Sequence, residues 1–344
     1  MTTSLPKLRR SYTPVRFPRQ LTRKSPLLPS SEGHRAVSSE AKSFLSAVGL
    51  GMRESVQDLI HHKNLNFRVK DPRGFNCVQL AVKRDDVKLL ELLCEKCHVP
   101  PGEPVREEMN ITSVHRAAKA GSLNSLKYLI EKAQVSAHAK DNLGRNAIFY
   151  AASKGHLDCV IYLVISAKAS AKQVQRKTGD TVLHIAARGG FLQLCKWLVE
   201  RAGLDPHVFN YMSRNSLHLA VKSNSLDLVK YLHGRKEVNP FLPDNKNMNA
   251  VGYSALIISR LQIFQYFLEA LGVTAIMLGD ANVTRSQWTP PPTALEVAQE
   301  RHNTVALELI MQAKKVLSRL LLIWVNTYRW PFEEALVKGI AEYI

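Results

Sequence analysis

The sequence predicts an all-α solenoid of about seven to eight stacked helix pairs. The first observation behind this prediction is a period, because alanine recurs at spacings of 34, 36, 34, 35 and 34 residues. The six alanines are Ala47, Ala81, Ala117, Ala151, Ala186 and Ala220. The second observation is the apolar pattern around each alanine, which suits two short helices. A fixed period of this length is typical of repeat proteins in which each repeat packs only against its neighbours.

The clearest repeat occupies residues 181–199, with the sequence TVLHIAARGGFLQLCKWLV. Leu183 and Ala186 fall on one face of a first helix, and Leu194 falls on the apolar face of a second. Gly190 stands between them, where a residue with a left-handed backbone can end a helix. Small alanines let neighbouring helices approach closely, and we call the six repeated alanines the anchor alanines.

Turn chemistry precedes two of the copies. Asp71 and Gly74 lie just upstream of one copy, and Asp141 and Gly144 lie upstream of another. An aspartate in this position can bond its own backbone, and the glycine adopts a positive φ at little steric cost. The segments between helix pairs are therefore expected to be tight turns.

These repeats resemble a known family. Residues 181–186 match the T-P-L-H-x-A signature of the ankyrin repeat, except that Val182 replaces the proline. Residues 112–117 and 215–220 keep the histidine of the signature, and the resemblance covers residues 41–312. It implies an ankyrin-repeat solenoid with short β-hairpin turns, in which the signature histidines hydrogen-bond between neighbouring repeats. These histidines are His115, His184 and His218.

The match weakens toward the end of the array. After Ala220 the next match is the segment 254–259, which places its anchor at Ser259, 39 residues further on. Another 39 residues lead to Ala298. The last copies are therefore expected to be degenerate, with a shortened helix pair near residue 260. The proline-rich segment 282–292 is interpreted as repeat decay, with a binding loop as the alternative.

Three parts of the chain are predicted. Residues 1–40 form a disordered, basic tail rich in proline and serine, because they cannot bury enough apolar surface to fold. Nuclear targeting, nucleic-acid contact, phosphorylation and a mitochondrial transit peptide stay open for this tail. Residues 41–312 form the repeat array. Residues 313–344 form capping or docking helices, since the stretch 316–325 is too apolar for a free surface helix.

Composition and motifs argue against an enzyme, a membrane protein and a secreted protein. The chain has no Gly-rich phosphate loop and no G-x-S-x-G or H-E-x-x-H motif. No stretch is long and apolar enough for a membrane span, and the first residues are basic rather than apolar. Five scattered cysteines indicate a reducing compartment. We therefore expect a cytoplasmic location, with the nucleus as the alternative.

No cofactor or metal is expected. Cys94, Cys97 and His98 have the C-x-x-C-H spacing of haem attachment, but they follow a leucine-rich helix and are better interpreted as structural. Zinc would need two further ligands. The signature histidines recur at one repeat position, so they are expected to lie in a row rather than converge on one ion.

The predicted partner-binding residues come from the resemblance. In ankyrin-like arrays the hairpin tips and the first helices line a concave groove, which the second and third residues after each anchor alanine would face. From Ala81 to Ala220 every repeat has a base at one of these positions. Arginine at the hairpin tips favours bidentate contacts with carboxylates of a partner. The set is Arg73, Phe75, Lys83, Arg84, Lys119, Arg145, Lys154, Lys177, Arg188, Tyr211, Arg214 and Lys222.

The charge suggests the kind of partner. The net charge is +18, and only a third of it lies in residues 1–40, which hold eight basic and two acidic residues. Such a charge favours acidic partners. We expect a monomeric, non-enzymatic scaffold that binds an acidic protein or peptide. The alternatives are a ubiquitin-ligase adaptor that docks its machinery through residues 313–344, and a nucleic-acid or anionic-lipid binder, which the lack of interleaved aromatic residues disfavours.

Overall fold

A polar cap begins most of the first helices. The computed structural model describes residues 39–61, 65–105, 109–235, 238–272 and 293–315. Within these residues asparagine or threonine precedes seven first helices, where its side chain can satisfy free backbone N–H groups. The caps are Asn76, Thr112, Asn146, Thr181, Asn215, Asn249 and Thr293. The recurring cap fixes where each repeat starts.

The described residues contain eight helix pairs. The first helices are α1 (Ser39–Leu50), α3 (Cys77–Ala81), α5 (Ser113–Ala120), α7 (Ala147–Ala152), α9 (Val182–Arg188), α11 (Ser216–Ser223), α13 (Ala250–Ala255) and α15 (Ala294–Glu300). The second helices are α2 (Arg53–Ile60), α4 (Val87–Glu95), α6 (Leu123–Glu131), α8 (Leu157–Ile165), α10 (Leu192–Glu200), α12 (Leu226–His233), α14 (Leu261–Leu271) and α16 (304–315). This arrangement confirms the predicted all-α ankyrin solenoid.

A left-handed residue separates the two helices of most pairs. Gly121, Gly155 and Gly190 adopt φ values of 78°, 76° and 74° at this position. Asp85 and Asn224 take the same position in two other repeats, with φ values of 56° and 61°. Aspartate and asparagine tolerate this region better than other residues with a side chain. The left-handed turn between the two helices is therefore kept in repeats that lack the glycine.

The anchor alanines lie where successive first helices meet. All five from Ala81 to Ala220 are fully buried. Successive first helices, such as α5 and α7, pack more closely than successive second helices, such as α6 and α8. The array therefore curves with its first helices on the inner side. We call this side, together with the turns before the first helices, the concave face.

Leucine and valine side chains from both helices of each pair form one continuous core. Leu90, Leu126, Leu163 and Leu198 from four second helices are fully buried in it. Full burial of one such side chain stabilises the fold by roughly 1.5–3 kcal/mol. Short hairpins connect the pairs, with antiparallel bridges at Lys70–Asn76, Val105–Ile111 and Val174–Thr181. These bridges confirm the β-hairpin turns that the resemblance implies.

The register predicted for the seventh pair is wrong. Asn249 caps α13 by accepting a hydrogen bond from the backbone N–H of Gly252. Ser254 therefore takes the anchor position, 34 residues after Ala220, and the spacing is regular. The second helix is not shortened, since α14 has 11 residues, and the first helix, α13, has 6 residues like α7. The additional residues lie between α14 and α15, because Ala298 follows Ser254 by 44 residues.

The ends of the predicted array fall near the limits of the described residues. Helix α1 begins at Ser39, and residues 1–38 of the predicted tail lie outside the described residues. Residues 313–315 belong to α16, while the rest of the predicted capping or docking segment lies outside the described part of the chain. The segment 282–292 lies outside it as well.

Candidate protein-interaction surface

A pocket of about 210 Å³ opens on the concave face between α5, α7 and α9. Lys119 and Ser153, each two residues after an anchor alanine, contribute to its lining. The full lining comprises Ile111, Lys119, Arg145, Phe149, Tyr150, Ser153 and Ile185. The pocket therefore brings together two of the predicted site residues, Lys119 and Arg145.

Arg145 is held by a buried carboxylate of its own hairpin. Its Nε donates a hydrogen bond to Asp141 at 2.7 Å, and its Nη2 donates to the Tyr150 hydroxyl at 2.9 Å. The Tyr150 hydroxyl in turn donates to Asp141 at 2.7 Å. Burial alone would raise the pKa of Asp141, but the hydrogen bonds from Tyr150 and Arg145 outweigh it and hold the pKa below its usual range. The three side chains form a closed network.

The same network recurs further along the array, but between two hairpins. Arg214 Nε donates to Asp244 at 2.7 Å and Arg214 Nη2 donates to the Tyr253 hydroxyl at 3.1 Å. Tyr253 donates to Asp244 at 2.7 Å. The hairpin of Arg214 has Asn210 in the place of the aspartate, so its guanidinium pairs with the carboxylate of the next hairpin. The network therefore ties the sixth repeat to the seventh.

Two further predicted arginines also pair within the chain. Arg188 Nη2 donates to the buried Asp180 at 2.7 Å, and Asp180 accepts a second bond from Asn210 of the next hairpin. Arg73 lies 3.4 Å from Asp71. The three hairpin arginines, Arg73, Arg145 and Arg214, therefore already have an internal carboxylate. The same holds for Arg188 at the end of α9. That these arginines contact carboxylates of a partner stays a prediction.

Phe75 does not present its ring to solvent. Its side chain is buried, and the guanidinium carbon of Arg116 lies 3.6 Å from the ring centre. Arg73 lies 5.3 Å from the same ring. Phe75 therefore supports two surface arginines and is not itself a surface aromatic, which corrects the prediction. Arg116, which contacts the ring most closely, was missing from the predicted set.

Four of the predicted lysines are exposed and, unlike the arginines above, have no carboxylate partner among the described residues. Within the described part of the chain, no ion pair involves them. We call these residues the groove lysines: Lys83, Lys119, Lys154 and Lys177. Their charges are therefore available on the concave face.

Lys222 and Arg84 have internal contacts of other kinds. The Lys222 ammonium lies 4.1 Å from the centre of the Tyr253 ring. Partial burial and the charge of Arg214 lower the pKa of Lys222 to about 8. Arg84 Nε donates to the backbone oxygen of Gly49 at 3.0 Å. Both side chains therefore connect neighbouring repeats.

Tyr211 lies on a hairpin tip and is 60% exposed. Its ring packs against Gly179 of the preceding hairpin, where an added Cβ would come within 2.5 Å of a ring carbon. Phe209 and Met212, on the same hairpin, are also exposed. This tip therefore presents apolar side chains, and all four groove lysines lie before it in the sequence.

Comparison with protein families decides the identity of the array. A model described as ankyrin repeats (3 copies) matches residues 44–137 and 167–244, and one described as ankyrin repeats (many copies) matches residues 114–164. The chain belongs to the ankyrin-repeat family. No curated protein matches it in sequence. Ankyrin repeats generally serve as non-enzymatic modules that bind other proteins, and such a scaffold has protein partners.

The signature histidines of the ankyrin array connect neighbouring repeats, as the resemblance implies. His115, His184 and His218 each donate from Nε2 to a backbone carbonyl of the following repeat, at 3.2, 2.8 and 2.9 Å. Burial lowers the pKa of all three, to about 4 for His218. Gln79 takes the same place in the second repeat and donates to Glu103 at 2.8 Å. This histidine position is structural.

Three further features of the described residues concern membrane spans, metal ligands and cysteines. None of the described helices is both long enough and apolar enough to cross a bilayer. The described histidine, cysteine and acidic side chains include no group of three that could hold a metal ion. All five cysteines are free thiols, and burial raises the pKa of Cys94 and Cys97 to about 11.

The sequence predictions missed an aromatic row on the second helices. Its members lie at spacings of 34 or 35 residues: Tyr128, Tyr162, Trp197, Tyr231 and Tyr266. The hydroxyl of Tyr162 donates to Glu131 of the preceding second helix at 2.9 Å, and Tyr231 donates to Glu200 at 3.0 Å. The row therefore joins the outer helices of the ankyrin array, and its period was present in the sequence.

Proposed function

We propose that this ankyrin-repeat protein is a non-enzymatic scaffold whose concave face binds an acidic segment of a partner protein. One observation supports this proposal above all. Nearby arginines have internal carboxylates, whereas the groove lysines are exposed and form no ion pair among the described residues. Four exposed ammonium groups along one face would attract a run of carboxylates and speed its encounter with the array.

The internal pairs support the same proposal. Arg145 and Arg214 are fixed by buried aspartates and tyrosines, so the hairpins that carry them hold one conformation. A face that is ordered before binding loses less conformational entropy when a partner binds. The arginines therefore contribute to recognition by holding the surface in place, and the groove lysines contribute the contacts.

The test uses an acidic probe of defined composition. Fluorescein-labelled nonaglutamate is titrated with the full-length protein, and its dissociation constant is measured by fluorescence anisotropy. The groove lysines are changed together to serine. A matched variant changes four exposed lysines on or next to the second helices to serine, namely Lys88, Lys127, Lys132 and Lys230. Circular dichroism checks that both variants keep their helix content.

The two variants have equal net charge. A difference in their affinity for the probe therefore reports a local site on the concave face, and not a general attraction of the acidic probe to a basic protein. We expect the groove variant to bind the probe about tenfold more weakly than the wild type, and the second-helix variant to bind within about twofold of it. Equal losses in the two variants would contradict a site on the concave face. Absence of binding by the wild type would contradict the proposed function itself.

A second candidate function is binding of nucleic acid or an anionic lipid surface. The net charge of +18 supports it, since such a charge attracts any polyanion. A fluorescein-labelled DNA dodecamer in the same assay distinguishes the two. The acidic-peptide proposal expects the nonaglutamate to bind more tightly at 150 mM salt, and tighter binding of the dodecamer with a steep salt dependence would favour the second candidate.

We also propose a cytoplasmic or nuclear location. The five cysteines are free thiols, and four of them are buried within the array. Free thiols persist in the reducing interior of the cell. A fluorescent fusion of the full chain, imaged in live cells, tests this location, and accumulation in a secretory compartment would contradict it.

A further inference from the structure

The pocket on the concave face has two kinds of lining. Ile111, Phe149 and Ile185 form apolar walls, and Lys119 and Arg145 add two cations. Its volume is about 210 Å³. A cavity of about 150 Å³ in another protein binds benzene, so a six-membered ring fits a pocket of this size.

The pocket is formed before any ligand enters. Tyr150 is fixed at its hydroxyl by Asp141 and on its ring by the edge of His115, whose ring centre lies 5.1 Å away. Arg145 lies over the same tyrosine, with its guanidinium carbon 4.8 Å from the ring centre. These contacts hold one end of the pocket in a single arrangement, which lowers the entropic cost of binding.

The lining chemistry discriminates between kinds of side chain. A bare carboxylate would have to enter between apolar walls, and the charge of Arg145 is already met by Asp141. An aliphatic side chain would fill the volume but would make no favourable contact with the cations. An aromatic ring packs on the apolar walls and also attracts a cation to its face.

We propose that the pocket binds one aromatic side chain of the partner, and that carboxylates on either side of it contact Lys119 and Lys154. This inference rests on the proposed function, since it specifies one residue within the acidic segment. The aromatic ring sets the register of the segment, and the groove lysines hold the acidic residues around it. The partner is thus an acidic peptide with an aromatic residue in its middle.

The test compares three peptides that differ at one position. Each has four glutamates, a central residue and four further glutamates, and the central residue is phenylalanine, cyclohexylalanine or serine. Cyclohexylalanine keeps the apolar volume and removes the aromatic face. We expect the phenylalanine peptide to bind the wild-type protein about tenfold more tightly than the serine peptide, and severalfold more tightly than the cyclohexylalanine peptide.

A variant that fills the pocket completes the test. Ser153 is exposed at the end of α7 and lines the pocket, so Ser153→Leu occupies part of its volume. The control is Ser166→Leu, at the exposed end of α8 in the same repeat. Both serines have helical backbone angles, which leucine adopts without strain. Ser153→Leu is expected to abolish the advantage of phenylalanine, whereas Ser166→Leu is expected to keep it.

The outcomes separate this inference from the function on which it rests. If the three peptides bind the wild type with equal affinity, the aromatic pocket is wrong while the acidic groove stands. If cyclohexylalanine equals phenylalanine, the requirement for an aromatic face is wrong. If Ser153→Leu keeps the advantage of phenylalanine, the ring binds elsewhere. If no peptide binds, the proposed function fails, and the pocket inference fails with it.

Discussion

Arg214 pairs with Asp244, a buried carboxylate 30 residues further along the chain and one repeat away. The equivalent arginine two repeats earlier, Arg145, pairs instead with Asp141 of its own hairpin. Two hairpin positions account for the difference. Arg214 has Asn210 at the aspartate position of its own hairpin and a carboxylate, Asp244, in the next. Arg145 has Asp141 in its own hairpin and the uncharged Gln175 in the next. The residues at these two positions thus decide whether the arginine bonds within its own repeat or to the next repeat.

Removing the carboxylate of Asp244 tests the strength of that bond. The Arg214 and Asp244 side chains are 12% and 0% exposed, so Asp244→Asn leaves a largely buried guanidinium without its counter-ion. We expect the free energy of unfolding to fall by about 3 kcal/mol. Urea denaturation followed by circular dichroism measures the loss.

The matched control for Asp244→Asn is Asp71→Asn. Arg73, the partner of Asp71, has a side chain that is 67% exposed, and the two groups lie 3.4 Å apart. An exposed pair of this kind contributes less than about 1 kcal/mol. Both asparagines keep the oxygen that bonds the turn backbone. Similar losses of unfolding free energy in the two variants would show that the buried pair between repeats stabilises the protein no more than an exposed pair does.

The buried histidines make stability depend on pH. The pKa of His218 is about 4 in the folded protein, because burial disfavours its charged form, and about 6.5 in an unfolded chain. The unfolded state therefore binds the proton first as the pH falls. Stability is complete above about pH 6.5 and declines toward pH 4, by roughly 1.5 kcal/mol for this residue between pH 6.5 and 5.

His218→Gln removes this titration and keeps the hydrogen bonds. Gln79 already fills the same position in the second repeat, where it bonds both its cap and the following segment. We expect the pH dependence of the unfolding free energy between pH 6.5 and 5 to become shallower in this variant. The same slope as in the wild type would contradict the assignment of a neutral, buried imidazole.

The turn between α7 and α8 requires glycine for two reasons. Gly155 has φ +76°, and an added Cβ would lie 2.7 Å from the ring of Phe191. Gly203 has φ +65°, and an added Cβ would contact nothing within 4 Å. Gly203→Ala therefore reports the backbone cost alone, about 1–2 kcal/mol, and Gly155→Ala is expected to cost more. Thermal unfolding of the two variants gives the comparison, and equal melting temperatures would show that the ring moves aside freely.

The sequence predicted most of the features that repeat, although not the aromatic row on the second helices, and it missed the contacts that depend on a partner residue. The period and the turn glycines follow from local patterns, and the role of His115 follows from the family resemblance. The seventh repeat was misplaced because Gly252 and Ser254 stand where other repeats have histidine and alanine. The role of Arg214 depends on which residue occupies the aspartate position in its own hairpin and in the next, and the packing of the array decides that contact.

Zero-length cross-linking shows whether the groove lysines bind an acidic segment. A carbodiimide added to the complex of the protein with nonaglutamate activates single carboxylates in place. Each then forms an amide bond with a lysine that it contacts, the urea is released, and peptide mass spectrometry locates the linked lysines. We expect cross-links at Lys83, Lys119, Lys154 and Lys177. Cross-links concentrated at Lys88, Lys127 and Lys230 on the second helices would contradict this expectation.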